Sequence, residues 1–235
     1  MTAEHVDDHH HRNLHGGAAR AAVFGMSDGL VSNVSLILGV AGAHPAAGVV
    51  RLAGLVGLLG GAVSMAAGEY VSMRAQTELL ERELDLERRE IHRRPEGERR
   101  ELMAIYRRRG LDPALADELS TAMMRDPELA LETHAREELG IDPNSLGSPV
   151  KAMISSFVAF SVGAVLPLVP WFAGTGTGAV VASVIIAVVS AAVVGTVLAR
   201  FTGFSAYRSA ARQVLIAAIA AGVTFGLGNI VGISI

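Results

Sequence analysis

The chain has no cysteine, a single lysine, a single tryptophan and little charge for its length. Without cysteine there is no disulfide scaffold, thiolate metal site, iron–sulfur cluster or cysteine nucleophile. Lys151 is the one lysine, and no glycine-rich loop ends in Gly-Lys-Ser/Thr, which excludes a P-loop nucleotide site. A net charge of −3 argues against a nucleic-acid partner. The first fifteen residues, MTAEHVDDHHHRNLH, are polar and acidic, unlike a cleavable signal peptide, so the first apolar segment is expected to remain in the mature protein.

Charged residues make up 18% of the 235 and hydrophobic ones 51%, against about 25% charged in an ordinary soluble domain. No Asp, Glu, Lys or Arg occurs in residues 29–50, 52–68, 152–199 or 213–235. A helix crossing a bilayer needs about 20 mostly apolar residues, and these stretches supply that length repeatedly. The expected architecture is all-α: five membrane spans near 17–43, 49–73, 152–172, 178–199 and 214–235, with a helical-bundle insert between spans two and three. In domain terms these are a polar, His-rich tail (1–16), spans one and two (17–73), a cytosolic insert (74–151) and spans three to five (152–235). His44-Pro45 and residues 171–178 are read as short turns on one face of the membrane, and 200–212 as a turn on the other. Pro167 and Pro170 are expected to break the third span, leaving backbone groups that neighbours or water must satisfy.

Basic residues favour the cytoplasmic side. With the N-terminus inside, 19 of the 20 basic residues fall inside and only Arg51 outside. An odd number of spans then leaves the C-terminus outside. The insert holds 14 of the 20 basic and 18 of the 23 acidic residues. Span two is read as continuing to Pro95, where a new helix starts and runs to Gly110. Asp112-Pro113 and Asp126-Pro127 each pair an N-cap residue with a proline suited to the first helical turn, and Gly140 closes the last helix.

Outside the tail and the insert only Asp28 and Glu69 are acidic. A carboxylate at the centre of a span costs about 2.5–3.5 kcal/mol to insert, which points to a water-filled path, a proton or a cation. The alternative is a protonated Asp28 bonded to neighbouring helix backbone. Met65 lies one turn before Glu69 and can share its face. Carboxylate oxygens suit hard divalent cations, and a thioether adds softness that favours later transition metals, although on the residues alone a methionine such as Met65 is more often packing than ligand, and Glu69 can be an interfacial residue reaching solvent.

In the insert, Glu87-x-x-Glu90, Glu98-x-x-Glu101 and His134-x-x-x-Glu138 each put a pair of candidate ligands on one helix face. Their alignment with apolar residues is informative. Leu80, Leu84, Glu87 and Ile91 form one stripe, Glu98, Leu102 and Ile105 a second, and Leu131, His134 and Glu138 a third. Carboxylates converging inside a bundle repel unless protonated or neutralised, and divalent metal is the natural partner. Read from the residues alone, the interleaving of Arg with Glu favours a solvated, salt-bridged face. Glu78, Glu81, Glu83 and Asp85 are read as solvated or as tuning the local potential. His5, His9, His10, His11 and His15 form a tail with incidental metal affinity. Gly25-x-x-x-Gly29, Gly57-x-x-x-Gly61 and Gly222-x-x-x-Gly226 permit close helix contact without identifying a particular dimer face.

These residues resemble the vacuolar iron transporter family. SDGLVSNVSLILGVAGA is similar to its Asp-Gly-Leu-Val signature, with Asp28 in the acidic position. AVSMAAGEYVSMRAQTE resembles the block that carries Met65 and Glu69, and SVGAVLPLVP is similar in the third span. The resemblance implies a homodimer in a lipid bilayer, with five spans per subunit, that exports Fe2+ or a similar divalent ion (Mn2+, Zn2+, Co2+) from the cytosol in exchange for protons. It implies a transporter rather than an enzyme, with no prosthetic group. Asp28, Met65 and Glu69 match the family's path. Glu87, Glu90, Glu98 and Glu101 match its two Glu-x-x-Glu pairs, which reverses the preference for a solvated face. Glu138 matches a further ligand pair in which His134 stands in place of methionine. Manganese export and a membrane-anchored iron sensor or buffer without transport are the alternatives. Composition points to a bacterial plasma membrane, or a vacuolar membrane in a eukaryote.

Overall fold

The computed structural model describes residues 17–140, 142–143 and 147–233, and the N-terminal histidines lie outside them. Among the described residues there is helix and turn but no strand. The helices are α1 (Gly17–Gly42), α2 (Ala47–Arg93), α3 (Pro95–Arg108), α4 (Pro113–Met123), α5 (Pro127–Glu137), α6 (Pro149–Val165), α7 (Pro170–Ala173), α8 (Gly176–Thr202) and α9 (Ala206–Ile233). Five segments are long and apolar enough to cross a membrane: α1, α2, the α6–α7 stretch, α8 and α9. The protein is therefore a multi-pass, all-α membrane protein. It divides into two compact units, Met1–Val71 with Ser148–Ile235, and Ser72–Gly147.

In the first unit α1 is the central helix, packed against α6, α8 and α9. Lipid is as apolar as leucine, so association between spans rests on close van der Waals packing and small residues rather than on escape from water. A Cβ added at Gly29 would run into the Phe160 carbonyl of α6, and one at Gly25 would sit 2.7 Å from the Ser156 carbonyl. Gly25-x-x-x-Gly29 is therefore consumed within the subunit. Gly222 and Gly226 have open space beside them. Leu30, Val34 and Leu38 of α1 form a buried cluster with Ala187 and Ala191 of α8 and Ala217 of α9. Gly29→Val is expected to cost about 3 kcal/mol or more, because backbone on both sides leaves nothing flexible to yield. A thermal-unfolding scan in detergent checks this, and a wild-type melting temperature would contradict it.

Span three breaks as its prolines require. After α6 come a 3-10 turn (Leu166–Leu168) and the short α7. Side chains of other helices meet carbonyls in this stretch: Asn33 Nδ2 donates to Ala164 O at 2.6 Å, and Ser183 Oγ to Pro167 O at 2.7 Å. Two expected turns are shorter than the sequence reading. Helix resumes at Pro170 and again at Gly176, so the link to α8 is Gly174–Thr175 rather than 171–178. The expected 200–212 turn shrinks because α8 runs to Thr202, ends on Gly203 at φ +72°, and α9 starts at Ala206. Arg208 and Arg212 are helical, since nothing between Ala206 and Arg212 breaks a helix and charge alone does not unwind one.

In the second unit Pro95 ends α2 and opens α3. The Asp112 side chain accepts from Ala114 N, and that of Asp126 from Glu128 N and Leu129 N, so both aspartates cap their helices. Leu102, Tyr106 and Ala116 form one core cluster, and Ile91, Ala130 and Leu131 another. Arg99 binds Asp117 across α3 and α4 and Glu96 along α3.

Candidate functional site

In the first unit the acidic position of α1 faces α2 across an open cavity of about 300 Å³. Asp28, Ser32, Asn33 and Leu36 line it from α1, Gly57, Gly61, Ser64 and Met65 from α2, and Phe160 from α6. Asp28 is exposed and accepts a hydrogen bond from Ser32 Oγ, one turn on, at 3.0 Å. The cavity thus combines one carboxylate, hydroxyls, an amide and a thioether, a donor set for a cation of intermediate hardness. Glu69 is not part of this lining. It takes Arg20 of α1 at 3.1 Å, the pair being 17% and 57% exposed at their side chains. Sequence reasoning did not pick out Arg20, Ser32, Asn33 or Ser64. Ser32 at four residues from Asp28 was the available signal; the others depend on how α1 meets α2.

In the second unit two groups of ligand atoms converge, each within 4.8 Å: Glu87, His134 and Glu138, and Glu87, Glu90 and Glu98. Glu87 belongs to both. Glu101 joins neither triad, but its negative charge acts on both Glu87 and Glu98. The convergence follows from the apolar stripes: Ile91 and Leu102, buried one turn beyond Glu87 and Glu98, draw both carboxylates inward, and Leu131 does the same for His134. Glu87 is 5% exposed and His134 fully buried, whereas Glu90 and Glu138 are exposed. Further along α2, Arg74–Glu78 and Asp85–Arg88 are exposed ion pairs, the solvated pattern expected there.

His134 Nδ1 lies 3.1 Å from Glu87 Oε1 and 3.7 Å from Glu138 Oε2. Among the described residues neither ring nitrogen, nor Glu87 Oε1, finds an aligned hydrogen-bond partner. The atoms are close yet do not point at one another as donor and acceptor. A buried polar atom left unpaired is costly, and one ring nitrogen of His134 with Glu87 Oε1 and a Glu138 oxygen is a set that a metal ion would satisfy. Desolvation pushes the Glu87 carboxyl up to about 7, reinforced by the charges of Glu138, Glu98, Glu90 and Glu101. Glu98 is raised by the same causes, desolvation first and Glu101 next.

A helical membrane protein with a carboxylate-bearing cavity among its spans and a second carboxylate cluster in a polar helical unit is organised as an ion-handling protein. A profile of the VIT family matches residues 19–229, and the chain belongs to that family, whose members are transporters and not enzymes. Among its relatives it is 32% identical over 228 residues to a vacuolar iron transporter 1 of Eucalyptus grandis, covering 94% of this chain and 90% of the relative. It is 35% identical over 233 residues to a vacuolar iron transporter of Acanthamoeba castellanii, covering 95% and 83%. A vacuolar iron transporter 1 of Arabidopsis thaliana is 31% identical over 229 residues, covering 94% and 90%.

Proposed function

We propose that this protein exports divalent metal from the cytosol in exchange for protons, with Fe2+ as the leading substrate and Mn2+ as the alternative. The observation that carries the reading is the cavity holding Asp28 and Met65 among spans too apolar to tolerate a carboxylate without purpose. The names of the relatives, vacuolar iron transporters, support iron as the metal carried. Glu87, Glu90, Glu98, His134 and Glu138, with Glu101 adding charge, capture metal at low free concentration and raise its supply to the path. Glu69 takes the ion in exchange for Arg20, and Met65 and Asp28 carry it onward. A carboxylate must be ionised to ligate, so protons arriving from the far side compete with metal and drive its release. That competition is the coupling.

The N-terminus and the polar unit are assigned to the cytosol, the C-terminus to the outside, and the membrane to a bacterial plasma membrane. A homodimer fits α1, where Asp28, Ser32 and Leu36 repeat every fourth residue on one exposed face. A second copy would shield Asp28 and Ser32 of that stripe from lipid; light scattering in detergent that finds only monomer removes the dimer.

The test of transport is Fe2+ uptake into proteoliposomes with and without an imposed pH gradient. Gradient-dependent uptake supports exchange. Metal binding without uptake, while a control transporter works, replaces this reading with that of a sensor or buffer.

A further inference from the structure

Asn33 has a divided side chain. It is 1% exposed, and its Nδ2 is committed to Ala164 O at 2.6 Å. A backbone carbonyl accepts only, so this bond settles which end of the amide is nitrogen and turns Oδ1 the other way. Oδ1 is buried and has no hydrogen-bond partner among the described residues. It faces α2 at Gly57, where an added Cβ would lie 2.8 Å away, so the glycine leaves this oxygen its room. Asn33 also lines the cavity shared by Asp28, Ser32, Ser64 and Met65.

A buried amide oxygen without a partner costs free energy that the fold recovers only when something positive reaches it. We infer that Asn33 Oδ1 is a ligand of the transported cation, the neutral oxygen that takes the ion from Asp28. A second carboxylate at this depth would hold a divalent ion too firmly. A carbonyl oxygen replaces part of its hydration shell yet lets it leave, as conduction through successive sites requires. The bond to Ala164 O orients the ligand, and it does so where α1 and α6 pack closely. This inference rests on the transport reading above.

Asn33→Asp and Asn33→Leu test it, because an ionised aspartate and a leucine both lose the donor to Ala164 O while only aspartate keeps an oxygen for the ion. Fe2+ uptake by each, per folded protein in the same proteoliposomes, gives KM and maximal rate. Asn33→Leu is expected to raise KM about tenfold, the scale of one lost contact to a charged species. Asn33→Asp is expected to lower KM and also to lower the maximal rate, since the ion now leaves slowly. If the side chain only ties α1 to α6, the variants lose folded yield but share the wild-type KM, and the inference falls. If wild type itself shows no uptake beside a working control, the transport reading falls and takes this one with it. Uptake by wild type with an unchanged KM in both variants overturns the ligand role alone.

Discussion

Asp28→Asn should reduce metal uptake by at least about a hundredfold, the effect of removing the charged partner from an ion in a poorly hydrated site, which costs about 3 kcal/mol or more. The replacement is nearly isosteric, and its amide oxygen can still accept the hydrogen bond that Ser32 Oγ donates to the carboxylate. Folding should be unaffected, so loss of uptake reports chemistry. Proton movement driven by metal should disappear with it. Uptake at the wild-type rate, with protons still moving, would take Asp28 off the path. Asp28 matters in this way because α1 offers the ion no other carboxylate, and hydroxyl and amide oxygens cannot neutralise a divalent charge.

The second large effect is expected at Glu87, shared by both ligand groups of the polar unit. Glu87→Gln should weaken metal binding by the purified full-length protein by about a hundredfold, since a ligating carboxylate must be ionised and glutamine cannot be. The wild-type site should also show a defined pH dependence. The Glu87 carboxyl rises from 4.5 to about 7 in the folded protein. Between those values the folded state keeps a proton that the unfolded state has released, so the contribution of this group to stability is full below 4.5 and lost as pH rises through about 7. The metal-free protein should therefore melt at a lower temperature at about pH 8 than at about pH 5, with metal restoring the midpoint at the higher pH. Below about pH 7, binding should release close to one proton from Glu87, a release that calorimetry in buffers of different ionisation enthalpy can count. A flat melting profile in wild type, or a pH dependence that persists undiminished in Glu87→Gln, would contradict the assignment.

These two sites differ in how far they could be read before folding. Glu87, Glu98 and His134 announce themselves because each continues a stripe of apolar residues at helical spacing, and a side chain in such a stripe is carried inward with its neighbours. Both are properties of one helix at a time. Which stripe meets which is not: that Glu87 serves two groups, and that Glu101 joins neither, depends on the packing of α3 and α5 beside α2. The same division holds at the cavity. Asp28 is visible as a charge in a charge-free span, whereas Arg20, Asn33 and Ser64 acquire meaning only when α1 and α2 lie side by side. Asn33 in particular reads as one more polar residue until its amide nitrogen is seen on Ala164 O and its oxygen beside Gly57.

By itself the sequence determined that this chain spans a membrane five times, that its charge is gathered in one insert, and where proline and aspartate start the helices of that insert. It did so because insertion, capping and helix breaking are short-range: they depend on a residue, its few neighbours and the solvent. The tertiary structure alone decided that Gly25 and Gly29 are spent on α6, that Arg20 occupies Glu69, and that Asn33, a residue of the cavity lining, keeps a buried, unpaired oxygen beside Gly57. Those outcomes turn on distances of a few ångströms between segments as much as 131 residues apart in the chain, and packing at that range is set by the fold as a whole.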